Sequence, residues 1–304
     1  MASKRDAHRQ DVRPLLRAAL AGLDLSAEDA AHLPPLHDDP DLRAQLTGPA
    51  LFALADYVIE HSALPGPRGN LELAAAFADE MRDACAAHGT GDHAPAWLLW
   101  LLANHHPPAS FGFDPASPLQ MPRFCAAVAT GEWALATGQF EAGVSALLDL
   151  ANSPLWRIRE GTAMGLQRML AGAWDAALPC LLKRAPDATP YQWRALVAGV
   201  AEPALLVDAG RAAGALDVHE RALSFFRRVS PDARRAEDMR TLRQALGYSI
   251  SVVVAAAPKQ GFERMAAWAA WRDPDVAWML RENLKKKRLG PWADRCEQVR
   301  ALLS

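Results

Sequence analysis

Along most of this chain the apolar residues recur at i, i+3 and i+4, and the runs stop at glycine or proline, which is the signature of amphipathic helices rather than strands. In the first half, ALFALADYVIEHS, NLELAAAFADEMRDACAAHG and APAWLLWLLANHH read as helices separated by ALPGPRGN and GTGDH. In the second half, LVAGVAEPALLVDAG and RTLRQALGYSISVVVAAAP carry the same period. The β-branched valines of YSISVVVAAA would also suit a strand, but its neighbours are helical and no partner strand is visible, so it is predicted as helix. A proline-rich segment at 107–122 follows the apolar helix AWLLWLLA, and it is the expected boundary between a lobe at 1–122 and a lobe at 123–304.

Punctuation in the second lobe is regular. Ser153-Pro154, Thr189-Pro190, Ser230-Pro231 and Asp273-Pro274 each place a capping side chain directly before a proline. The Ser, Thr or Asp oxygen accepts a free N–H of the first turn, and proline at the first helical position loses only a donor that has no partner there. The prolines are spaced by 36, 41 and 43 residues, the length of a two-helix repeat. A second echo is W-x-x-R-E, present as Trp156, Arg159, Glu160 and again as Trp278, Arg281, Glu282. The expected fold class is therefore all-α, an α-solenoid of two-helix repeats preceded by a less regular helical lobe.

Composition agrees: apolar residues are 51% of the 304, charged residues 22%, and only three tyrosines occur. The net charge of −2 hides an asymmetry. Residues 1–150 hold 9 Lys+Arg against 19 Asp+Glu, and residues 151–304 hold 24 against 16. Halves of opposite sign can bind each other, assemble head to tail, or present the basic half to nucleic acid. Cys85, Cys125, Cys180 and Cys296 stand far apart, without a C-x-x-C pair, and are expected to be free thiols of a cytoplasmic protein with no metal and no cofactor. The first residues lack an apolar signal core, and no run reaches the ~18 apolar residues of a membrane helix.

The segments SPLWRIREGTAMGLQRML, TPYQWRALVAGVAEPALL, TLRQALGYSISVVVAAAP and DPDVAWMLRENLKKKRL resemble HEAT-like helical repeats, and among these the AlkD-type DNA alkylation-repair glycosylases. The resemblance covers about half of the chain and implies a basic groove bearing tryptophans, with a carboxylate near the damaged nucleotide and no metal. No W-W-D-x-V-D-type segment occurs at the expected kind of helix end; the nearest arrangements are Trp271 with Asp275 and Trp156 with Glu160.

The segment at 273–290, DPDVAWMLRENLKKKRLG, concentrates the chemistry, since its lysine triplet holds three of the six lysines. At ~100° per residue, Val276, Leu280, Asn283 and Leu284 share one side of a helix. Arg281, Lys285 and Arg288 share another, with Trp278 at its edge, while Lys287 falls near the apolar side and must snorkel or lie past the helix end. That basic stripe, extended by Arg159, Arg194 and Arg243 of the other repeat segments, is the candidate contact for DNA or another polyanion. The alternative is that the cations meet the helix dipole while Trp278 packs near Trp292. Arg159 and Glu160 with Arg281 and Glu282 equally suit ion ladders between successive helices. The crowded arginines of 221–243 suit a solvated mixed-charge surface, and Asn104-His105-His106 suits a helix C-cap better than a metal site. Three functions are consistent with these residues: a non-catalytic polyanion-binding repeat protein, a metal-independent DNA glycosylase, or a protein-binding scaffold.

Overall fold

The structure is a computed structural model that describes residues 3–23, 48–89, 92–104 and 114–303. Thirteen α-helices and no strand occur among the described residues. They form two compact units, Met1–Ala173 and Trp174–Ser304. His105, His106 and the Phe111-Gly112-Phe113 stretch lie outside the described residues.

Unit 1 contains α1 (Lys4–Ala21), α2 (Pro49–Glu60), α3 (Leu71–His88), α4 (Ala94–Ala103), α5 (Met121–Thr137), α6 (Phe140–Ala151) and the first part of α7 (Trp156–Arg184). Its centre is α5, which packs against α3, α4, α6 and α2. Helices on both sides of the 107–122 segment share one core, and the two compact units meet in sequence at Ala173, where α7 leaves helical geometry at φ −148° and ψ 58°. Every residue of α4 is buried, as its all-round apolar sequence requires. Asn104 ends that helix by donating from its side-chain amide to the Trp100 carbonyl. The crossing of α5 with α7 depends on absent side chains: a Cβ at Gly165 would stand 2.3 Å from the Ala127 carbonyl oxygen, and one at Gly131 2.0 Å from that of Gly165.

Three acids are buried among the described residues of this unit, Asp79, Glu80 and Glu132. Arginines of α1 reach across to α3, so that Arg9 and Arg13 both hold Glu80 and Arg5 holds Asp79, while Arg168 of α7 binds both Asp79 and Glu132. Burial alone would push the Glu80 carboxyl up; the guanidiniums of Arg13 and Arg9 outweigh it and hold the group below its ordinary range.

Unit 2 contains α8 (Pro190–Val200), α9 (Ala209–Arg228), α10 (Glu237–Ala256), α11 (Pro258–Ala269), α12 (Pro274–Leu284) and α13 (Ala293–Leu302). Helix α10 packs against both α8 and α12; α9 packs on α8 and α10, and α11 on α10, α12 and α13. YSISVVVAAA is helical through Ala256 within α10, with Ala257 as the helix cap. Two of the expected proline caps start helices as predicted. Thr189 forms a capping box with Gln192, and Asp273 Oδ1 accepts the N–H groups of Asp275 and Val276. The other two do not. Ser153 caps a turn just ahead of α7, and Ser230 accepts the Ala233 N–H ahead of a 3₁₀ turn at Ala233–Arg235, so α10 begins only at Glu237.

Two polar pins lock α10 to its neighbours. His219 of α9 is fully enclosed, with Nε2 2.9 Å from Ser249 Oγ and Nδ1 2.8 Å from the Ala215 carbonyl. Asn283 of α12 donates to the Leu246 and Met279 carbonyls and accepts the Ser251 backbone N–H. A buried amide with all these partners satisfied fixes the register of the pair, because a slip of one residue would strand it.

Candidate functional site

Helix α12 has the two faces expected of it. Val276, Met279, Leu280, Asn283 and Leu284 are buried, while Arg281 and Lys285 are exposed and Trp278 is half-buried. The helix ends at Leu284 with Lys285 as its cap. Lys287 and Arg288 are exposed in the following 3₁₀ segment Lys287–Trp292, so Lys287 lies past the helix end.

The outward face of α12 continues onto α10. At ~100° per residue, Trp278, Arg281, Glu282 and Lys285 form one stripe, and Arg240, Arg243, Gln244, Gly247 and Tyr248 form another. They meet at Gly247, where a Cβ would fall 3.0 Å from the Trp278 ring and 3.8 Å from Glu282 Cβ. With no side chain at Gly247, the indole lies directly against α10. The Arg243 guanidinium then stacks over that indole at 3.7 Å from the ring centroid, and Tyr248, the residue after Gly247 on α10, is 44% exposed. A stacked Arg–Trp pair next to an exposed tyrosine presents flat polarizable surface within a cationic surround.

Several of the expected cations are already engaged within unit 2. Arg243 Nε lies 2.7 Å from Asp275, Lys285 Nζ lies 2.5 Å from Glu282, and Arg281 donates to the Leu303 carbonyl. The hydrogen bond from Lys285 pulls the Glu282 carboxyl below its ordinary range, which makes it a fixed anion and the opposite of a poised general acid. Arg288, Arg240 and Lys287 are exposed and have no ion pair among the described residues. Arg194 is half-buried on α8, about 100° round from Trp193, which packs on Phe225. Arg159 is 7% exposed in unit 1 and donates to the Ser153 and Pro154 carbonyls, where it closes the turn before α7. It is therefore part of the turn and presents no outward cation. Trp292 packs on Phe262, and the partners of Trp278 are Arg243 and Gly247.

Among the arginines of 221–243, Arg234 is 9% exposed and grips both Asp273 and Asp275, so it braces the start of α12. The cap residue thus serves two elements at once. Arg227 stacks over Trp271 at 4.3 Å.

The His219–Ser249 pair has the components of a nucleophile and its base, but both side chains are fully enclosed, and burial lowers the imidazole to about 4. A substrate has no path to it, and Nδ1 is committed to a backbone carbonyl rather than to a carboxylate. In unit 1, Tyr57 donates to Asp11 and lies 3.0 Å from His8 Nδ1, whose Nε2 faces the Asn70 amide, and Tyr57 stacks on His61 at 4.1 Å. This chain ties α1, α2 and the cap of α3 together. No cluster of three or more His, Cys, Asp or Glu suited to a metal ion occurs among the described residues, and no described helix is long and apolar enough to cross a membrane. All four cysteines are free, and three are buried; burial raises Cys85 to about 12.

Sequence reasoning did not find Arg240, Gly247 or Tyr248 as parts of this face. The signal was the spacing of Arg240, Arg243, Gln244 and Tyr248, which stay off the buried positions of the same helix, whereas Gly247 is buried beneath Trp278 and gave none. No family model matches the chain, and no curated protein matches it.

Proposed function

We propose that this protein is a non-catalytic helical-repeat binder that takes up a polyanion, with duplex DNA as the first instance, on the face formed by α10 and α12. The observation that carries this reading is the Arg243–Trp278 stack, together with the exposed Tyr248 and unpaired Arg240 on α10 and the unpaired Lys287 and Arg288 just past the end of α12. Cations positioned around an aromatic surface can neutralise phosphates while the ring lies against sugar or base. The alternation of α8, α10 and α12 with α9, α11 and α13 supports the two-helix-repeat reading, because each helix packs on members of the other set.

The test is fluorescence anisotropy with a labelled duplex at two salt concentrations. Binding should weaken steeply with salt, and replacing Arg240, Lys287 and Arg288 together with alanine should lower the slope of log K against log salt by about 2–3, near one per lost phosphate contact. Undetectable binding at low salt, or a slope unchanged in the triple variant, overturns the proposal. Running the same titration on methylated duplex with a base-release readout separates a binder from a glycosylase. Glu282 is engaged by Lys285 rather than free to stabilise a developing positive charge, which leads us to expect no release.

A further inference from the structure

Unit 1 contains a small cavity that belongs neither to the α10–α12 face nor to the buried acids. Its volume is about 290 Å³. Met121 and Phe124, both nearly inaccessible, form its floor. Leu71 and Trp156, two of the six large hydrophobics that stand well exposed among the described residues, frame its mouth at 44% and 45% exposure. Two exposed apolar side chains at the rim of one apolar cavity are an arrangement that solvent alone disfavours.

The polar groups around it are few and biased toward positive charge. Arg68 is exposed at the cavity wall and has no ion pair among the described residues. The Arg157 guanidinium lies 4.5 Å from the Trp156 ring centroid and is fixed by the Pro115 and Gly66 carbonyls, which leaves its buried Nε–H without an acceptor. Gln120, 3% exposed, donates its amide to the Pro115 and Ser117 carbonyls, which sets the orientation of the amide and leaves Oε1 unpaired. Glu160 is the one carboxylate on the wall. Two cations share the wall with it, so an anion is favoured at the mouth.

From this geometry we propose that the cavity binds a small planar aromatic carboxylate: the ring inserts between Trp156 and Leu71 onto Met121 and Phe124, and the carboxylate meets Arg68. Size narrows the class, because ligand cavities run to roughly 300–1,000 Å³ and this one lies at the small end. It takes one ring system, and it is too small for a nucleotide or a peptide. The first W-x-x-R-E copy thus differs in role from the second: its tryptophan frames a cavity, whereas Trp278 closes onto Gly247.

The test is calorimetric titration of the full-length protein with 2-naphthoate and with uncharged 2-naphthol. Naphthoate should bind one to one, and about tenfold more tightly than naphthol, since one charge-assisted contact at an exposed site is of that order. Arg68→Ala should abolish the preference for the acid, and Trp156→Ala should weaken both ligands. Both residues are solvent-exposed, and unchanged thermal unfolding of the variants confirms that they fold. Equal affinity for the two ligands, binding indifferent to both substitutions, or no saturation by either ligand overturns the proposal. Excess duplex DNA should leave naphthoate affinity unchanged, and loss of DNA binding in the α10–α12 variants should not alter it, so failure of one site is distinguishable from failure of the other.

Discussion

Replacing Glu80 by alanine should destabilise unit 1 less than removing the two arginines that hold it, although the same contacts vanish in both cases. The difference lies in what each change leaves behind. The Glu80 side chain is 2% exposed, whereas those of Arg9 and Arg13 are 27% and 46% exposed. In Glu80→Ala the freed guanidiniums turn to water, and the loss is that of charge-assisted hydrogen bonds at a half-exposed site, about 1–2 kcal/mol. In Arg9→Ala/Arg13→Ala the carboxylate is stranded inside the protein, where an uncompensated charge costs about 3–5 kcal/mol unless it takes up a proton. Arg9 also contacts Asp83, but that carboxylate is 48% exposed and adds little.

Native-state hydrogen exchange of α1 and α3 amides is the suitable assay, because it reads opening of this unit without requiring the two units to unfold together. The pH dependence should reverse between variants. In the native protein the paired Glu80 lies below its ordinary range, so its contribution is present above the unfolded value of about 4.3 and is lost as pH falls through the lowered folded value. In the double arginine variant only burial acts, the folded value lies above the unfolded one, and stability falls as pH rises through that window. If Glu80→Ala costs as much as the double variant, or both show the same pH slope, the reasoning from exposure is refuted.

Other consequences are equally specific. His219 is neutral in the fold, with its value lowered to about 4, so the unfolded chain binds the extra proton between that value and about 6.5; stability of unit 2 should fall by on the order of 2–3 kcal/mol as pH drops through this window, and His219→Gln should flatten the dependence in urea titrations. Gly165→Ala should cost at least about 2 kcal/mol, because the new Cβ meets a backbone carbonyl at 2.3 Å, whereas Gly161→Ala meets the Phe124 ring at 3.0 Å, which can shift, and should cost less; equal melting temperatures for the two would refute this. Asn283→Leu should lower stability by on the order of 3 kcal/mol in chemical unfolding, since the Leu246 carbonyl and Ser251 N–H lose their partner inside the protein.

Helix existence and the buried side of α12 are legible in the chain because both follow from period and local capping. Thr189 and Asp273 start their helices through side chains that reach only two or three residues ahead. Ser230 obeys the same local rule, yet the turn it caps closes as 3₁₀, because Arg234 is drawn inward to the Arg227 and Val229 carbonyls and to Asp273. That partner is some forty residues away, and no local pattern contains it. Asp79, Glu80 and Glu132 were equally illegible: in sequence an acid on an amphipathic helix reads as solvated, and only the approach of α1 and α7 makes burial tolerable. Arg159 and Arg281 occupy matching places in the two W-x-x-R-E copies, but one closes a buried turn and the other reaches the C-terminal helix.

The charge asymmetry takes on a different meaning once the partners are known. Recounted over the two units, residues 1–173 carry 12 Lys+Arg against 20 Asp+Glu and residues 174–304 carry 21 against 15, so the opposition of sign survives the change of boundary. What matters for a long-range partner, though, is the charge left after internal pairing, since a cation held by a carboxylate at under 3 Å projects a dipole rather than a monopole field. Arg234, Arg243, Arg264 and Lys285 are paired in this way. Arg240, Lys287 and Arg288 are not, and they lie on α10 and just beyond the end of α12. Mutating Arg234 or Arg243 would mainly unsettle the start of α12 and its contact with α10, and mutating Arg264 would loosen α11 from α9. Mutating the unpaired set leaves those contacts in place and removes only outward charge, which is why the salt dependence of the Arg240, Lys287 and Arg288 variant, rather than of Arg281 or Lys285, decides between a grip and a capped helix end.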